Sequence, residues 1–256
     1  MTTSVTVGHP EPLHVEIRHV PVTAPFQWLD RAWGDLREIG APGLAHGALI
    51  AILGAVLLML GSTHFYFTAA AITGYLLVGP VMTTGLCELA RRRAAREPLG
   101  FDQSLQGLTR NADGLAHFGG VLALLGVLWF VLSAVLLQSA LNASTPTLAV
   151  ALWDGSANVP VSQVLGYIGC GAVLAALVFA FSVVAVPLII DRHARASEAI
   201  RASVRATLAN LPAMLVWAAL IVAVTAIGFL TLLVGMVIVA PLLGYATWHA
   251  YRDLIG

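Results

Sequence analysis

The sequence predicts an all-α, polytopic integral membrane protein with six transmembrane helices, and three observations predict it. First, 59% of the 256 residues are hydrophobic and 10% are charged, with a mean hydropathy of +0.87, whereas soluble domains carry about a quarter charged residues. Second, apart from Asp154, the charges gather in four blocks separated by long uncharged runs. Third, a short segment with helical hydrophobic spacing precedes each pair of expected spans.

Met1 to Pro25 is polar and holds Pro10, Pro12, Pro21 and Pro25, with neither a basic region nor an early apolar stretch. It reads as a flexible tail rather than a signal peptide, and the remaining residues, 26–256, as one membrane domain. Phe26, Leu29, Trp33 and Leu36 then recur at helical spacing opposite Asp30, Arg31, Asp35 and Arg37, which predicts an amphipathic helix at the interface. Between Glu38 and Glu88 lie 49 uncharged residues. A span needs about 20, so this run predicts helices at about 43–60 and 65–88, with a turn near Gly61-Ser62-Thr63-His64.

Phe101, Leu105, Leu108 and Ala112 mark a second interfacial helix. The 40 uncharged residues from Gly114 to Trp153 end in polar, turn-like Asn142 to Thr147, so they predict one span at about 115–138. Gly155 to Ile190 predicts another at about 162–190. Ala196, Ile200, Val204 and Leu208 mark the third interfacial helix, opposite Glu198, Arg201 and Arg205. The last run, Ala206 to Tyr251, predicts spans at about 211–227 and 229–249 around a tight turn near Gly228.

Six spans put both termini on one side, together with all thirteen Arg, and the positive-inside rule makes that side the cytoplasm. Thirteen Asp and Glu balance those Arg, and without surplus positive charge, nucleic acid is not an expected partner. Cys87 and Cys170 lie in apolar stretches and do not read as a disulfide framework.

The units echo one another. Gly43-Leu44-Ala45-His46 opens the first span and Gly114-Leu115-Ala116-His117 the third, while Pro42 and Pro212 stand at comparable helix starts. The even-numbered spans carry Pro80, Pro187 and Pro241, followed eight residues later by Glu88, Arg195 and His249. An interfacial helix plus a helical hairpin, repeated three times, accounts for the pattern. The prolines would free carbonyls and kink their helices, for packing or for gating.

Trp33-Gly34-Asp35-Leu36, Gly79-Pro80, Glu88 to Arg92, Pro187 with Asp191-Arg192, and Pro241 with Trp248-His249-Ala250-Tyr251-Arg252-Asp253 resemble bacterial integral membrane proteins of domain of unknown function 2189. The resemblance runs from about Pro25 to the C-terminus; it leads one to expect Tyr and His where Cys87 and Tyr245 stand. It implies a bacterial inner-membrane protein, and some members are labelled cytochrome c oxidase subunits. A haem-copper catalytic subunit needs several intramembrane His and about twelve helices, so that label implies an accessory or assembly role here.

Glu88, His46, His117 and His249 fall about one turn inside the expected cytoplasmic boundary, near Asp191. Polar groups at membrane depth are costly and mark candidate sites. The three histidines could hold a haem or metal, or could hydrogen-bond helix ends; no His-x-x-x-His spacing supports ligation. Glu88 with Arg91 or Arg92, and Asp191 with Arg195, have the spacing of intrahelical ion pairs. Arg91 to Arg93 with Arg96 could instead bind anionic headgroups. Gly166 to Gly171, and Gly43 with Gly47, read as small-residue packing surfaces.

No nucleophile–base pair, paired catalytic carboxylate or phosphate loop is evident. Cofactors are undetermined. The leading expectation is a non-enzymatic accessory, assembly or scaffold protein whose partners are the lipid bilayer and other membrane subunits. The alternatives are a transporter or channel for a small or lipidic molecule, and a haem- or metal-binding membrane protein.

Overall fold

A computed structural model of the chain describes residues 15–61, 83–141 and 161–256. The described elements are α1 (Ala24–Ile39), α2 (Ala41–Gly61), α3 (83–95), α4 (Phe101–Arg110), α5 (Ala112–Leu141), α6 (Val161–Ser182), α7 (Ala185–Arg192), α8 (Ala196–Ala209), α9 (Leu211–Leu230) and α10 (Met236–Leu254). Among the described residues the fold is all-helical, with one isolated antiparallel bridge between Ile17 and Ile255.

Ala112–Leu136, Leu165–Arg192 and Leu211–Leu230 are long and apolar enough to cross a membrane, and α1 with the first part of α2, bent by 106°, could form a fourth crossing. The molecule is an integral membrane protein embedded in lipid, with three to four candidate spans among the described residues. The expected turn after Gly61, most of the span at 65–88 with Gly79 and Pro80, and the connection around Asp154 lie outside the described residues. The helix expected at 229–249 is present as α10 but is not among the candidate spans. Its second half carries His249, Arg252 and Asp253.

Of the tail expected over 1–25, residues 15–20 are bonded to the body. Arg18 donates its backbone N–H to the Leu254 carbonyl (2.9 Å), and Gly256 donates to Glu16 (3.0 Å). Asn210 clasps the segment, its Oδ1 accepting from Val20 (2.8 Å) and its Nδ2 donating to the Arg18 carbonyl (3.0 Å).

All three amphipathic helices form, but the faces turned inward differ from those their large apolar residues predict. In α1 the inward stripe is Trp28, Ala32, Asp35, Leu36 and Ile39, while Phe26 and Trp33 are exposed. In α4 the buried residues are Ser104 and Gly107, with Leu105 exposed. In α8 they include Ala199, Ala202, Ser203 and Ala206, with Leu208 exposed. Large side chains that face lipid are not penalised, whereas close contact between helices favours small residues. Apolar spacing therefore locates these helices but not their inward sides.

Backbone breaks fall where proline and glycine chemistry puts them. Gly40, at φ +64° in the left-handed region that favours glycine, turns α1 into α2. The span expected at 162–190 divides into α6 and α7 at residues 183–184. The ring of Pro187 excludes the carbonyl four residues earlier, that of Val183, which accounts for the break. α7 is buried on every side from Ala185 to Ile190 and touches α4, α5, α6, α8 and α10, so this short helix is the hub of the bundle.

Pro241 acts differently, because α10 runs on through it. It leaves the Val237 carbonyl without its helical donor. α2 approaches that carbonyl so closely at Gly47 that a Cβ there would overlap the Val237 backbone. This proline accompanies tight packing of α2 against α10.

The turn expected near Gly228 lies instead at residues 231–235, and Gly228 belongs to α9. Every backbone N–H from Thr231 to Val239 finds a local acceptor: those of Thr231, Leu232 and Leu233 donate to the last carbonyls of α9, those that follow donate to acceptors within residues 231–235, and that of Gly235 goes to the Thr231 hydroxyl (2.8 Å). Leu230, Leu232 and Val234 project outward from it. An apolar tip with its donors satisfied internally is compatible with lipid.

The glycines of α6 also divide. Gly171 packs close to the Trp129 ring, where a Cβ would lie 3.1 Å away, but Gly166 and Gly169 meet nothing within 4 Å among the described residues. Among the described residues, the packing surface expected over 166–171 is therefore seen only at Gly171. Gly166→Ala is expected to leave the apparent unfolding temperature unchanged or slightly raised, since Ala is favoured over Gly in a helix by about 0.5–1 kcal/mol. A thermal scan in detergent reads this directly.

Candidate functional site: a buried ion-pair layer

The charged ends of α1, α3, α4, α7 and α10 converge on a layer of carboxylates, and Glu88 is its centre. This residue is fully buried, and burying a carboxylate is tolerated only where cations and donors surround it. α3 supplies two of them one turn on. Arg91 donates from Nε to Oε2 and from Nη2 to Oε1, both at 2.9 Å, and Arg92 donates from Nε to Oε1 at 2.7 Å. α4 supplies the third, Arg110, whose Nε lies 2.8 Å from Oε2. The helices meet here because α4 presents Gly107, where a Cβ would fall 2.9 Å from that of Glu88.

Outer partners orient the guanidinium groups. Arg92 donates to Gln106 Oε1 (2.7 Å), and Arg91 reaches Glu97 (2.7 Å). That hydrogen bond, with the positive field of the neighbouring arginines, holds the Glu97 carboxyl below the usual carboxylate range.

A second knot joins three elements. Asp35 of α1, 2% exposed, accepts from Arg93 Nη1 of α3 (2.5 Å) and lies 3.0 Å from Nε2 of His249 on α10. Arg93 also donates to Glu38. One turn beyond His249, Asp253 accepts from Trp28 Nε1 (2.8 Å) and forms an ion pair with Arg31, so the same face of α10 grips α1 twice. Tyr251 points elsewhere. Its hydroxyl donates to Asp191 at the end of α7 (2.6 Å), beside Arg192, and its ring packs against Trp248 with centroids 5.4 Å apart.

The sequence-derived candidates thus fall into groups. Asp35, Glu88, Arg91, Asp191, His249, Tyr251 and Asp253 are brought together in the layer, with Trp248 packed on it. Arg252 is exposed, and Trp33 is exposed with the Arg37 guanidinium 5.3 Å above its ring. Pro187 and Pro241 shape α7 and α10 rather than the layer.

Two readings need correction. Asp191 and Arg195 form no ion pair, because Tyr251 takes the carboxylate and Arg195 begins α8. Arg91, Arg92 and Arg93 are engaged inside the protein rather than presented to headgroups. Arg31, Trp28, Arg93 and Arg110 were not singled out as partners, since Trp28 and Arg31 contact Asp253 across more than 200 residues.

The three histidines do not share a site. His46 lies beneath α4, its Nδ1 bonding the Pro42 carbonyl (3.0 Å) and its Nε2 facing the Ser104 hydroxyl (3.3 Å). His117 is exposed and bonds the Asp113 carbonyl (2.7 Å). His249 belongs to Asp35. Among the described residues no three His, Cys, Asp or Glu side chains form a group able to hold a metal. Cys87 is buried with its thiol 3.8 Å from the Gly244 carbonyl, and the neighbouring Tyr245 hydroxyl is buried without a hydrogen-bond partner among the described residues.

Chemically, the layer's carboxylates are already neutralised by cations or hydrogen-bond donors of the same chain, which suits locking helices together. Tyr251→Phe tests one strand of it. Losing a hydroxyl donated to a carboxylate is expected to lower stability by about 1.5–3 kcal/mol, read as a drop in unfolding temperature in detergent. A variant melting with the parent would show that this bond holds nothing.

No curated protein and no solved structure matches the chain. The matched family stretch includes Glu88, Arg91, Pro187 and Asp191, whereas Trp33, Asp35 and the Pro241 to Asp253 block lie outside it. Over residues 67–191, just under half of the chain, the sequence matches the model of the family described as predicted integral membrane protein, domain of unknown function 2189.

Proposed function

We propose that the protein is a non-enzymatic accessory, assembly or scaffold protein of the bacterial inner membrane. In this reading the chain crosses six times in three repeated units and keeps both termini in the cytoplasm. The observation that carries it is the ion-pair layer: its acidic groups are paired with cations or hydrogen-bond donors of the chain itself, leaving a rigid charged end beneath an outward apolar surface. Leu124, Val131, Leu165, Val173, Leu215 and Val222, on α5, α6 and α9, are all more than half exposed and face lipid or neighbouring helices. Association with a respiratory oxidase enters through the family labels alone, and belongs to the proposal as the first partner to test.

Affinity purification of the tagged protein from native membranes in mild detergent, followed by mass spectrometry, tests it. Recovery of respiratory or other membrane subunits at near-stoichiometric amounts is the expected result. Reproducible recovery of the protein alone would overturn the scaffold reading.

A second reading, a carrier for a small apolar or lipidic molecule, is favoured by two adjoining cavities of about 290 and 220 Å³ that share Thr83, Ile221 and Thr247. Flux across proteoliposomes that falls when Thr247 is replaced by a bulky residue would support it; absence of flux for apolar probes would remove it.

A further inference from the structure

With Arg91, Arg92 and Arg93 engaged internally, the arginines without ion-pair partners among the described residues include Arg192, Arg195, Arg201 and Arg205, around α8. Beside them opens a cavity of about 500 Å³ between the first turns of α5 and α8. It lies at a membrane boundary, because the candidate span Ala112–Leu136 begins in its wall.

The two walls differ in chemistry. The α8 side offers donors: the Arg195 guanidinium, the Ser197 hydroxyl, His193, and the backbone N–H groups of Ala196 and Ser197 at the positive end of its dipole, while the Glu198 carboxylate of the same turn is held by the Arg195 backbone N–H (3.0 Å). The α5 side offers acceptors. Asp113 contributes a carboxylate, and His117, whose Nδ1 bonds the Asp113 carbonyl at 2.7 Å, keeps Nε2 as an acceptor when the ring is neutral. Asn111 between them is already occupied, donating to the Ile189 and Ala194 carbonyls and accepting from Gly114. One turn along from His117 and Ala196, Val121 and Ile200 make the wall apolar.

A phosphate suits the donor wall and a primary ammonium the acceptor wall, while the apolar continuation suits an acyl chain. We propose that this cavity binds a single phospholipid whose headgroup combines a phosphate with a primary ammonium, as in an ethanolamine phospholipid. The assignment is independent of whether the protein scaffolds or transports. A choline headgroup brings the same phosphate but an ammonium without N–H donors, and a glycerol headgroup brings no ammonium.

The test is binding of defined phospholipids to the full-length, detergent-purified protein by native mass spectrometry, with thermal stabilisation as a second readout. Ethanolamine phospholipid is expected to bind about fivefold tighter than choline phospholipid, the factor expected of one net hydrogen bond that a quaternary ammonium cannot donate. Arg195→Gln should weaken all phospholipids by a similar factor. Asp113→Asn should abolish the preference for ethanolamine over glycerol phospholipid while leaving phospholipid binding intact. Arg201→Gln, on the exposed ridge outside the cavity, should change neither, and Ile200→Trp should block binding by filling the pocket with every charge in place. Equal binding of ethanolamine and choline phospholipids would overturn the proposal, as would full binding in Arg195→Gln. Stabilisation by inorganic phosphate equal to that by the lipid would assign the cavity to a soluble phosphate compound and overturn the lipid.

Discussion

Glu88→Gln is expected to be the most damaging conservative substitution in the molecule, lowering stability by about 3–5 kcal/mol, the usual cost of removing one partner from a buried ion pair. The amide fills the same space, so no cavity is made and the effect isolates charge. Arg91 and Arg92 have side chains only 12% and 9% exposed, so they would be left cationic against a neutral group. Arg110, at 29%, regains some solvation and limits the loss. The readout is the unfolding temperature of the detergent-purified protein and the fraction recovered from membranes. Glu97→Gln is the matched control. That side chain is 37% exposed, and solvent screens such surface pairs so that their loss is felt little. If both variants melted with the parent, the layer would not be what holds α3 to α4.

Gly47→Ala is expected to have the second-largest effect. Alanine in place of glycine stabilises an isolated helix by about 0.5–1 kcal/mol, so propensity alone predicts a gain. The structure reverses the sign, because the added methyl would overlap the backbone carbonyl of Val237 rather than the end of a flexible side chain. Overpacking usually costs about 1–3 kcal/mol. Here relief requires α2 to move away from α10, exposing the carbonyl that Pro241 leaves without a helical donor. Pro241→Ala restores that donor and is expected to recover part of the loss in the double variant. Additive effects of the two substitutions would show that the Val237 carbonyl does not couple them.

The difference between these glycines and those of α6 shows where sequence reading stops. Gly47 and Gly166 both sit in apolar runs with other glycines nearby, yet one touches a helix backbone and the other meets nothing within 4 Å among the described residues. Spacing marks surfaces on which helices can approach closely, and only the fold decides which are used. The Glu88 pairs with Arg91 and Arg92 were legible because both partners lie within one helical turn. Asp35 with His249, and Asp253 with Trp28, were not, since more than 200 residues separate the partners.

An all-helical membrane protein was legible in the sequence, as were the bounds of the described apolar helices α2, α5 and α9 to within a few residues and the gathering of charge at helix ends. Composition and run length suffice for this because the bilayer demands a fixed length of apolar helix and penalises charge within it. The tertiary structure alone decided which faces of α1, α4 and α8 turn inward, that α6 and α7 part before Pro187, and which cation each buried carboxylate takes. In lipid, an outward Phe26 or Leu208 is as well solvated as a buried one, so hydrophobicity no longer separates inside from outside. What separates them is close packing of small residues and pairing of charges, and both depend on which helices meet.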